Sequence, residues 1–477
     1  MQDSLTARRA GWLILIVSAL FICTIGCAVR KPPSQNDIVG KALPAGTQIP
    51  PTWSASSSAG EVSNDWLKTF QDPQLDAIVA EAIANNLDLR QAAQRVEEAR
   101  QTVIIVGAQL KPQIGGTVGG AHTTTSSKTY FSDAEYAALS WEIDIWGKLR
   151  AQRAAAMEGY EATALSYAFA RQSLAATAAD SWYLAVETRQ LLALAQDDVG
   201  IYAKLLELSK ARRAAGKVSD LDVAEANASL DASQSALRQA QSLYSDARRN
   251  LEVLIGRYPA AEIEIAPTFS PLPPPVQPGL PSSLLERRPD IIAAERQVQA
   301  AFHTQEAARL SLYPSFLIGA AGGNLSDLLL ALQGSSLLHT ALGMTVPVYQ
   351  GGSLRAQLRV ATAQQEQAVA YYGGVSLRAF KEVEIALTNE ELLTQRLPFE
   401  KTAVQSRSEA VRLGKIQYRY GSADMFLVLQ LQSQQITQQS DLIRLYYALL
   451  GNRVNLHLAL GGGFDAAPAT ATALSPP

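Results

Sequence analysis

The chain has 477 residues, of which 47% are hydrophobic and 18% charged, with a formal net charge of −3. Without a basic excess, nucleic acid is not an expected partner. The two cysteines, Cys23 and Cys27, both stand near the start, which leaves the body without a disulfide or a thiolate metal site, so its stability has to come from packing.

Arg8 and Arg9 precede an apolar run from Trp12 to Ile25, and Gly26-Cys27 follows directly. This is the layout of a secretory signal whose apolar core is too short to span a bilayer, so residues 1–26 are read as a signal peptide. A small residue before a cysteine at that point resembles the cleavage site of bacterial lipoproteins, with Thr24 standing where Leu is usual. Cys27 is the expected lipidation site; an ordinary signal peptide cut elsewhere is the alternative. Residues 27–63 are rich in Pro, Ser, Gly and Ala and read as a lipidated extended tether. The Ala-, Pro- and Thr-rich tail, 465–477, reads as disordered.

Between tether and tail the chain repeats itself, as residues 64–278 and 279–464. Asn86-Leu87-Asp88 matches Arg288-Pro289-Asp290, and Lys111-Pro112-Gln113-Ile114-Gly115 matches Tyr313-Pro314-Ser315-Phe316-Leu317, both about 202 positions on. Leu149-Arg150-Ala151-Gln152 matches Leu354-Arg355-Ala356-Gln357, Gly216 matches Gly421, Asn250-Leu251 matches Asn455-Leu456 and Gly256 matches Gly461, at about 205. A repeat this long makes two halves of one structural unit.

No proline falls between Pro112 and Pro259, and Ala, Gln, Leu, Arg and Glu dominate from Leu149 onward, which predicts helix. A helix over about 149–213 would be roughly 95 Å long. Gly216 is suited to stop it in the left-handed conformation, and Ser219 to cap a returning helix that runs to about Leu254. The second half repeats this from Leu354 to Gly421 and from Asp424 to about Leu460, with Pro398 expected to break or kink its long helix. Ala224, Ala228, Ala232 and Ala236 permit close helix approach. Helix composition alone would fit an intracellular coiled-coil scaffold; the secretory signal and the strands argue otherwise.

After Pro112 and Pro314 the period changes to two. Leu139, Trp141, Ile143 and Ile145 alternate with Ser140, Glu142 and Asp144; Leu342, Met344, Val346 and Val348 alternate with Gly343, Thr345 and Pro347. Earlier strands carry Ile114 and Val118, and Phe316 and Ile318, in the same rhythm. Such segments suit transmembrane barrel strands with the apolar set toward lipid, although a half-buried soluble hairpin has the same period. Four strands cannot close a useful barrel, and an open edge in lipid costs several kcal/mol per unsatisfied backbone group. Several chains must then contribute to one barrel.

Four stretches carry a resemblance: Asp65-Trp66-Leu67-Lys68-Thr69-Phe70-Gln71-Asp72-Pro73-Gln74-Leu75, Ala84-Asn85-Asn86-Leu87-Asp88-Leu89, Glu142-Ile143-Asp144-Ile145-Trp146-Gly147-Lys148-Leu149-Arg150, and Leu280-Pro281-Ser282-Ser283-Leu284-Leu285-Glu286-Arg287-Arg288-Pro289-Asp290-Ile291. Together with the lipoprotein-like site, they make the chain resemble the TolC-like outer-membrane efflux factors, in the lipoprotein branch that works with resistance-nodulation-division pumps. The resemblance implies a mainly α fold with membrane β. Three copies would form a homotrimer whose four strands per chain close a 12-stranded barrel above a long-helix α-barrel, in the outer membrane of a Gram-negative bacterium. It implies a passive exit duct for drugs or other small molecules, with an inner-membrane pump supplying the energy.

By the same resemblance, the periplasmic tip docks a periplasmic adaptor protein through Gly216, Lys217, Val218, Ser219, Gly421, Ser422, Ala423 and Asp424. Many members carry acidic residues six and nine positions past the second glycine; here those positions are Leu427 and Gln430. Closure of the aperture is therefore expected to depend on packing of Phe426 and Leu427 and on hydrogen bonds from Tyr418, Tyr420, Asp424 or Gln430, with little response to pH or divalent ions. The competing reading is a lipid-anchored periplasmic coiled-coil scaffold without a channel. His122, His303, His339 and His457 lack metal-ligand spacing, and no catalytic motif or phosphate loop is present, so neither enzyme activity nor a cofactor is expected.

Overall fold

The computed structural model describes residues 30–55, 60, 62, 64–126, 128–327 and 332–463. Cys27, the signal peptide and the 465–477 tail lie outside the described residues.

The segment expected as an extended tether is not extended throughout. Helix α1 (Gln35–Ala42) starts at a capping box in which the Ser34 hydroxyl accepts from the Asp37 backbone and Asp37 accepts from that of Ser34. Ile38, Trp53 and Val62 are buried in one apolar cluster with Ile291, Tyr372, Val375 and Ala379, and the Trp53 indole donates to the carbonyls of Pro278 and Gly279 at 3.2 and 3.1 Å. A side chain at Gly373 would come within 2.3 Å of the Ala42 carbonyl oxygen. The glycine thus lets the end of α1 lie against a long helix. Composition had hidden a cap and three apolar anchors.

The first repeat comprises α2 (Trp66–Thr69), α3 (Pro73–Asn85), α4 (Leu87–Ala108), β1 (Gln113–Thr124), β2 (Thr129–Ile143), α5 (Lys148–Ala214) and α6 (Asp220–Leu254). The second has a 3-10 turn (Pro281–Ser283), α7 (Leu284–Arg287), α8 (Pro289–Leu310), β3 (Ser315–Asp327), β4 (Leu332–Thr345), α9 (Ser353–Tyr420) and α10 (Met425–Ala459). The halves match closely: α4 and α8 each have 22 residues, α5 and α9 have 67 and 68, and α6 and α10 each have 35. By helical rise the two long helices extend roughly 100 Å. Pro398 does not break α9, which is helical throughout. Proline removes one backbone bond, about 3 kcal/mol. On either side of it α10 holds the helix, through Arg453 to Glu390 before the proline and Gln438 to Glu400 after it.

Both repeats tie the start of the shorter helix to the end of the returning one. Asn86 caps α4 through the Leu89 N–H at 3.0 Å and donates to the Leu254 carbonyl at 3.0 Å. At the matching place Arg288 donates to the Ala459 carbonyl at 3.2 Å, while gripping Asp290 with two bonds of 3.0 and 2.8 Å and Glu382 at 2.6 Å. Beside these ties, Gly256 and Gly461 stop α6 and α10 at φ +79 and +68, and an added Cβ would meet Asn85 at 2.9 Å or Arg287 at 3.2 Å. The repeated motifs are therefore the joints of the fold, which explains why they are the most legible part of the sequence.

The strands form one sheet in the order β1-β2-β3-β4, antiparallel throughout. Residues directly opposite in an antiparallel pair share a face. The register therefore puts Ile114 with Leu139, Trp141 with Ile318 and Leu342, and Ile143 with Phe316 and Met344. The expected apolar set is thus partly gathered on one face, but three of its members are not in strands. Ile145 follows β2 in the turn into α5, and Val346 and Val348 follow β4. Alternation continues past the strand ends, whereas pairing stops where no neighbouring backbone is present. Trp141 also differs from a purely lipid-facing residue, since its indole donates to the Leu110 carbonyl at 3.0 Å, which places it at the rim where sheet meets helix.

Candidate functional site

Far from the sheet, both long hairpins turn at the same end. At each turn a glycine takes a left-handed conformation, Gly216 at φ +69 and Gly421 at φ +77. The next N–H reaches back, from Lys217 to the Arg212 carbonyl at 2.9 Å and from Ser422 to that of Gln417 at 3.0 Å. Ser219 then starts α6 in a capping box with Asp222, and Asp424 caps α10 by accepting from the Leu427 N–H at 2.9 Å. Gly216, Lys217, Val218 and Ser219, together with Gly421, Ser422, Ala423 and Asp424, thus make two short, largely exposed turns of one design.

Two contacts join the turns. The Arg212 guanidinium lies 4.3 Å from the centre of the Tyr418 ring and donates to the Tyr418 carbonyl. The Asp222 carboxylate is held well below its usual pKa by the Ser219 side chain and also by the backbone N–H groups of Ser219 and Met425, so it caps one helix and touches the start of another. Tyr418, expected at the aperture, is instead fully buried with Tyr202, Leu205, Met425, Val428 and Leu429. Its ring is large enough to fill the space between hairpins, and its hydroxyl is not at the surface. Tyr420, Phe426 and Gln430 are exposed, Leu427 is half-buried, and Asp424 is engaged as a cap.

Phe426 and Gln430 line a groove of about 490 Å³ between α5, α6 and α10, along with Asp198, Tyr202, Glu225, Ser229 and Gln434. Asp198 is buried, and burial pushes its carboxyl up to about 6; none of the residues lining the groove is a cation. The folded chain therefore binds a proton that the unfolded chain releases between the ordinary value of 3.8 and about 6. Stability is gained as pH falls through about 6 and lost as it rises. Asp198→Asn is expected to stabilise the protein by about 1–3 kcal/mol at pH 8 and to flatten the dependence of its unfolding temperature between about pH 4 and 6. An unchanged pH profile would show that Asp198 is solvated. Asp198 is a titrating group that the expected pH-insensitivity of the tip leaves out of account.

Asp198, Arg212 and Asp222 were not singled out by sequence. Only Asp222 had a local signal, its place three residues after Ser219; the other two depend on contacts between distant helices. The histidines are dispersed: His122 on β1, His339 on β4, His303 half-buried on α8, and His457 on α10, stacked on Trp66 at 5.6 Å and pushed down to about 4 by burial. Among the described residues no group of three or more His, Cys, Asp or Glu side chains is placed to hold a metal, and no helix is long and apolar enough to cross a membrane.

A duplicated pair of roughly 100 Å helical hairpins, carrying a four-stranded sheet with one apolar face, defines the subunit of a membrane channel extended by a helical duct. The model of the outer membrane efflux protein family matches residues 78–257 and 280–462, and the chain belongs to that family. It is an outer-membrane efflux channel protein. It is 30% identical to the pyoverdine export outer membrane protein OpmQ of Pseudomonas putida over 95% of this chain and 98% of the relative. It is 26% identical to SilC, a probable outer membrane lipoprotein of Salmonella typhimurium, over 94% of this chain and 98% of the relative. The solved structure of the outer-membrane channel OprN superimposes with a TM-score of 0.81, at 23% identity, covering 92% of this chain and all of that one.

Proposed function

We propose that three copies of this chain close their sheets into one 12-stranded barrel and form the passive exit duct of a tripartite efflux system. The duct conducts drugs or other small molecules from the periplasm to the exterior, docks a periplasmic adaptor at its turn end and is driven by an inner-membrane resistance-nodulation-division pump. It performs no catalysis.

The observation that carries this reading is an asymmetry between the duplicated halves. Surfaces covered inside the chain have counterparts that are bare: Ala307 on α8 is 5% exposed, whereas the matching Ile105 on α4 is 67% exposed. On the long helices, Glu187 of α5 is 8% exposed, and the matching Leu392 of α9 is 52% exposed. Repeat 1 is covered on one side by repeat 2, and a second copy would cover the remaining sides in the same way until the ring closed.

The sheet edges fit the same rule. β2 pairs with β3, Ile143 opposite Phe316; moved one repeat on, β4 would pair with β1 of the next copy, Val348 opposite Ile114. Val346 and Val348 then join the lipid face with Leu139, Trp141, Ile143, Leu342 and Met344, and no edge remains open in lipid. Gly216 to Ser219 and Gly421 to Asp424 are the docking turns, because they lie at the end of the duct farthest from the membrane. Cys27 is the lipid anchor, a reading supported by the kinship to SilC. Intact-mass analysis of the mature protein is expected to show an acylated Cys27; an unmodified N-terminus at another residue would remove the anchor.

The test is paired. Native mass spectrometry in detergent is expected to give three subunits, and the purified protein is expected to give a conductance in planar bilayers. A folded protein with no conductance would favour the scaffold without a channel. Closure rests on packing of Phe426 and Leu427, with Tyr420, Asp424 and Gln430 as polar neighbours and Tyr418 fixing the hairpins behind them. Phe426→Ala is expected to raise resting conductance several-fold, at a stability cost below about 1 kcal/mol because the ring is already exposed. If Asp424→Ala opens the channel and Phe426→Ala does not, an electrostatic latch replaces the packing account.

A further inference from the structure

Near the tip, the seam between the two hairpins of one chain is apolar. Tyr202 and Leu205 of α5 pack with Val428 and Leu429 of α10, and Ile436 packs against the same cluster. Tyr202 stands about fourteen residues before its turn glycine and Ile436 about fifteen after its own, so the two lie at one level along the duct.

In the assembly proposed above, on which this inference rests, α9 of one copy meets α6 of the next as α5 meets α10 inside the chain. The duplication then assigns each position its counterpart. Tyr202 becomes Arg407, Leu205 becomes Ala410, Val428 becomes Val223, Leu429 becomes Ala224 and Ile436 becomes Asp231. Tyr202 and Ile436, which flank the inner seam from its two helices, are replaced by a cation and an anion. Both are exposed, and neither is ion-paired within the chain among the described residues: Arg407 donates to Gln434 at 2.6 Å, and Asp231 accepts from Asn227 at 3.3 Å.

We propose that Arg407 forms an ion pair with Asp231 of the next copy, so that each seam between chains carries an exposed ion pair at the level where Tyr202 and Ile436 make the seam within a chain apolar. Water and salt compete with a solvent-exposed ion pair but not with a buried apolar cluster. The seams between chains are therefore the salt-sensitive ones, while Tyr202, Ile436 and Tyr418 hold the seam within each chain. Raising ionic strength loosens the tip.

Two chains, one carrying Arg407→Cys and the other Asp231→Cys, are co-expressed and treated with a short bis-maleimide. A covalent dimer is expected only when both variants are present. In bilayers, Arg407→Asp is expected to raise resting conductance by about twofold to fivefold, the range of an exposed pair. Arg407→Asp combined with Asp231→Arg is expected to return it to the original value. Native mass spectrometry on the same samples separates the two levels of the argument. Trimers without cross-linking and without rescue overturn the ion pair and leave the trimer intact, whereas monomers overturn the assembly and the pair with it.

Discussion

Leu338→Arg is expected to prevent the protein from forming a stable membrane-inserted oligomer, whereas His339→Arg, one residue along, leaves assembly intact and alters conduction. Leu338 lies near the middle of β4 and is 82% exposed in the single chain. It is opposite Gly322 and shares a face with Leu342 and Met344, the partners of Ile318 and Phe316. Arginine on the lipid face near the midplane costs about 2–4 kcal/mol per chain, and three copies in one barrel multiply that penalty. His339, opposite Ala321, is on the other face, where a cation meets water. The measurement is resistance of the oligomer to denaturing detergent, together with single-channel current. A Leu338→Arg protein as resistant as the wild type would show that this face does not meet lipid.

Arg288→Ala is expected to destabilise the fold by about 3–5 kcal/mol, the cost of removing one partner from a buried ion pair. Arg288 is buried against the ring of Phe169 at 5.6 Å and connects three elements, Asp290 at the start of α8, Glu382 on α9 and the Ala459 carbonyl ending α10. Without it, the last turn of α10 and the Asp290 carboxylate lose their partners in a place where water enters poorly. Arg288→Lys is expected to recover only part of the loss, because an ammonium cannot grip a carboxylate with two parallel bonds while reaching a second acid and a carbonyl. Equilibrium unfolding in urea, with the oligomer kept in detergent, checks both variants. A loss below about 1 kcal/mol for Arg288→Ala would mean that the group is effectively at the surface.

The features legible in the sequence were those fixed by neighbours along the chain. Ser219 with Asp222, Gly216 and Gly421 act through bonds spanning five residues or fewer. The strands announced themselves by period two, and Arg288-Pro289-Asp290 stood out because a joint used once per repeat leaves a repeated trace. Pro398 misled as a helix breaker because its local cost is real, but packing on both sides outweighs it. The 27–63 segment misled because the Trp53 and Ile38 anchors depend on surfaces formed hundreds of residues later.

The sequence by itself determined the duplication, the lengths of the helices, the places where they turn and the two-faced character of the strands, all consequences of short-range bonding and of periods of 3.6 and 2. Only the tertiary structure decided that Tyr418 is a buried spacer, that Asp198 sits without a cation between three helices, that the strands stop at Ile143 and Thr345, and that each repeat is bare on a face where the other is covered. Burial, pKa and strand pairing depend on which distant backbone lies alongside, and that is settled only when long helices and strands are brought together in space.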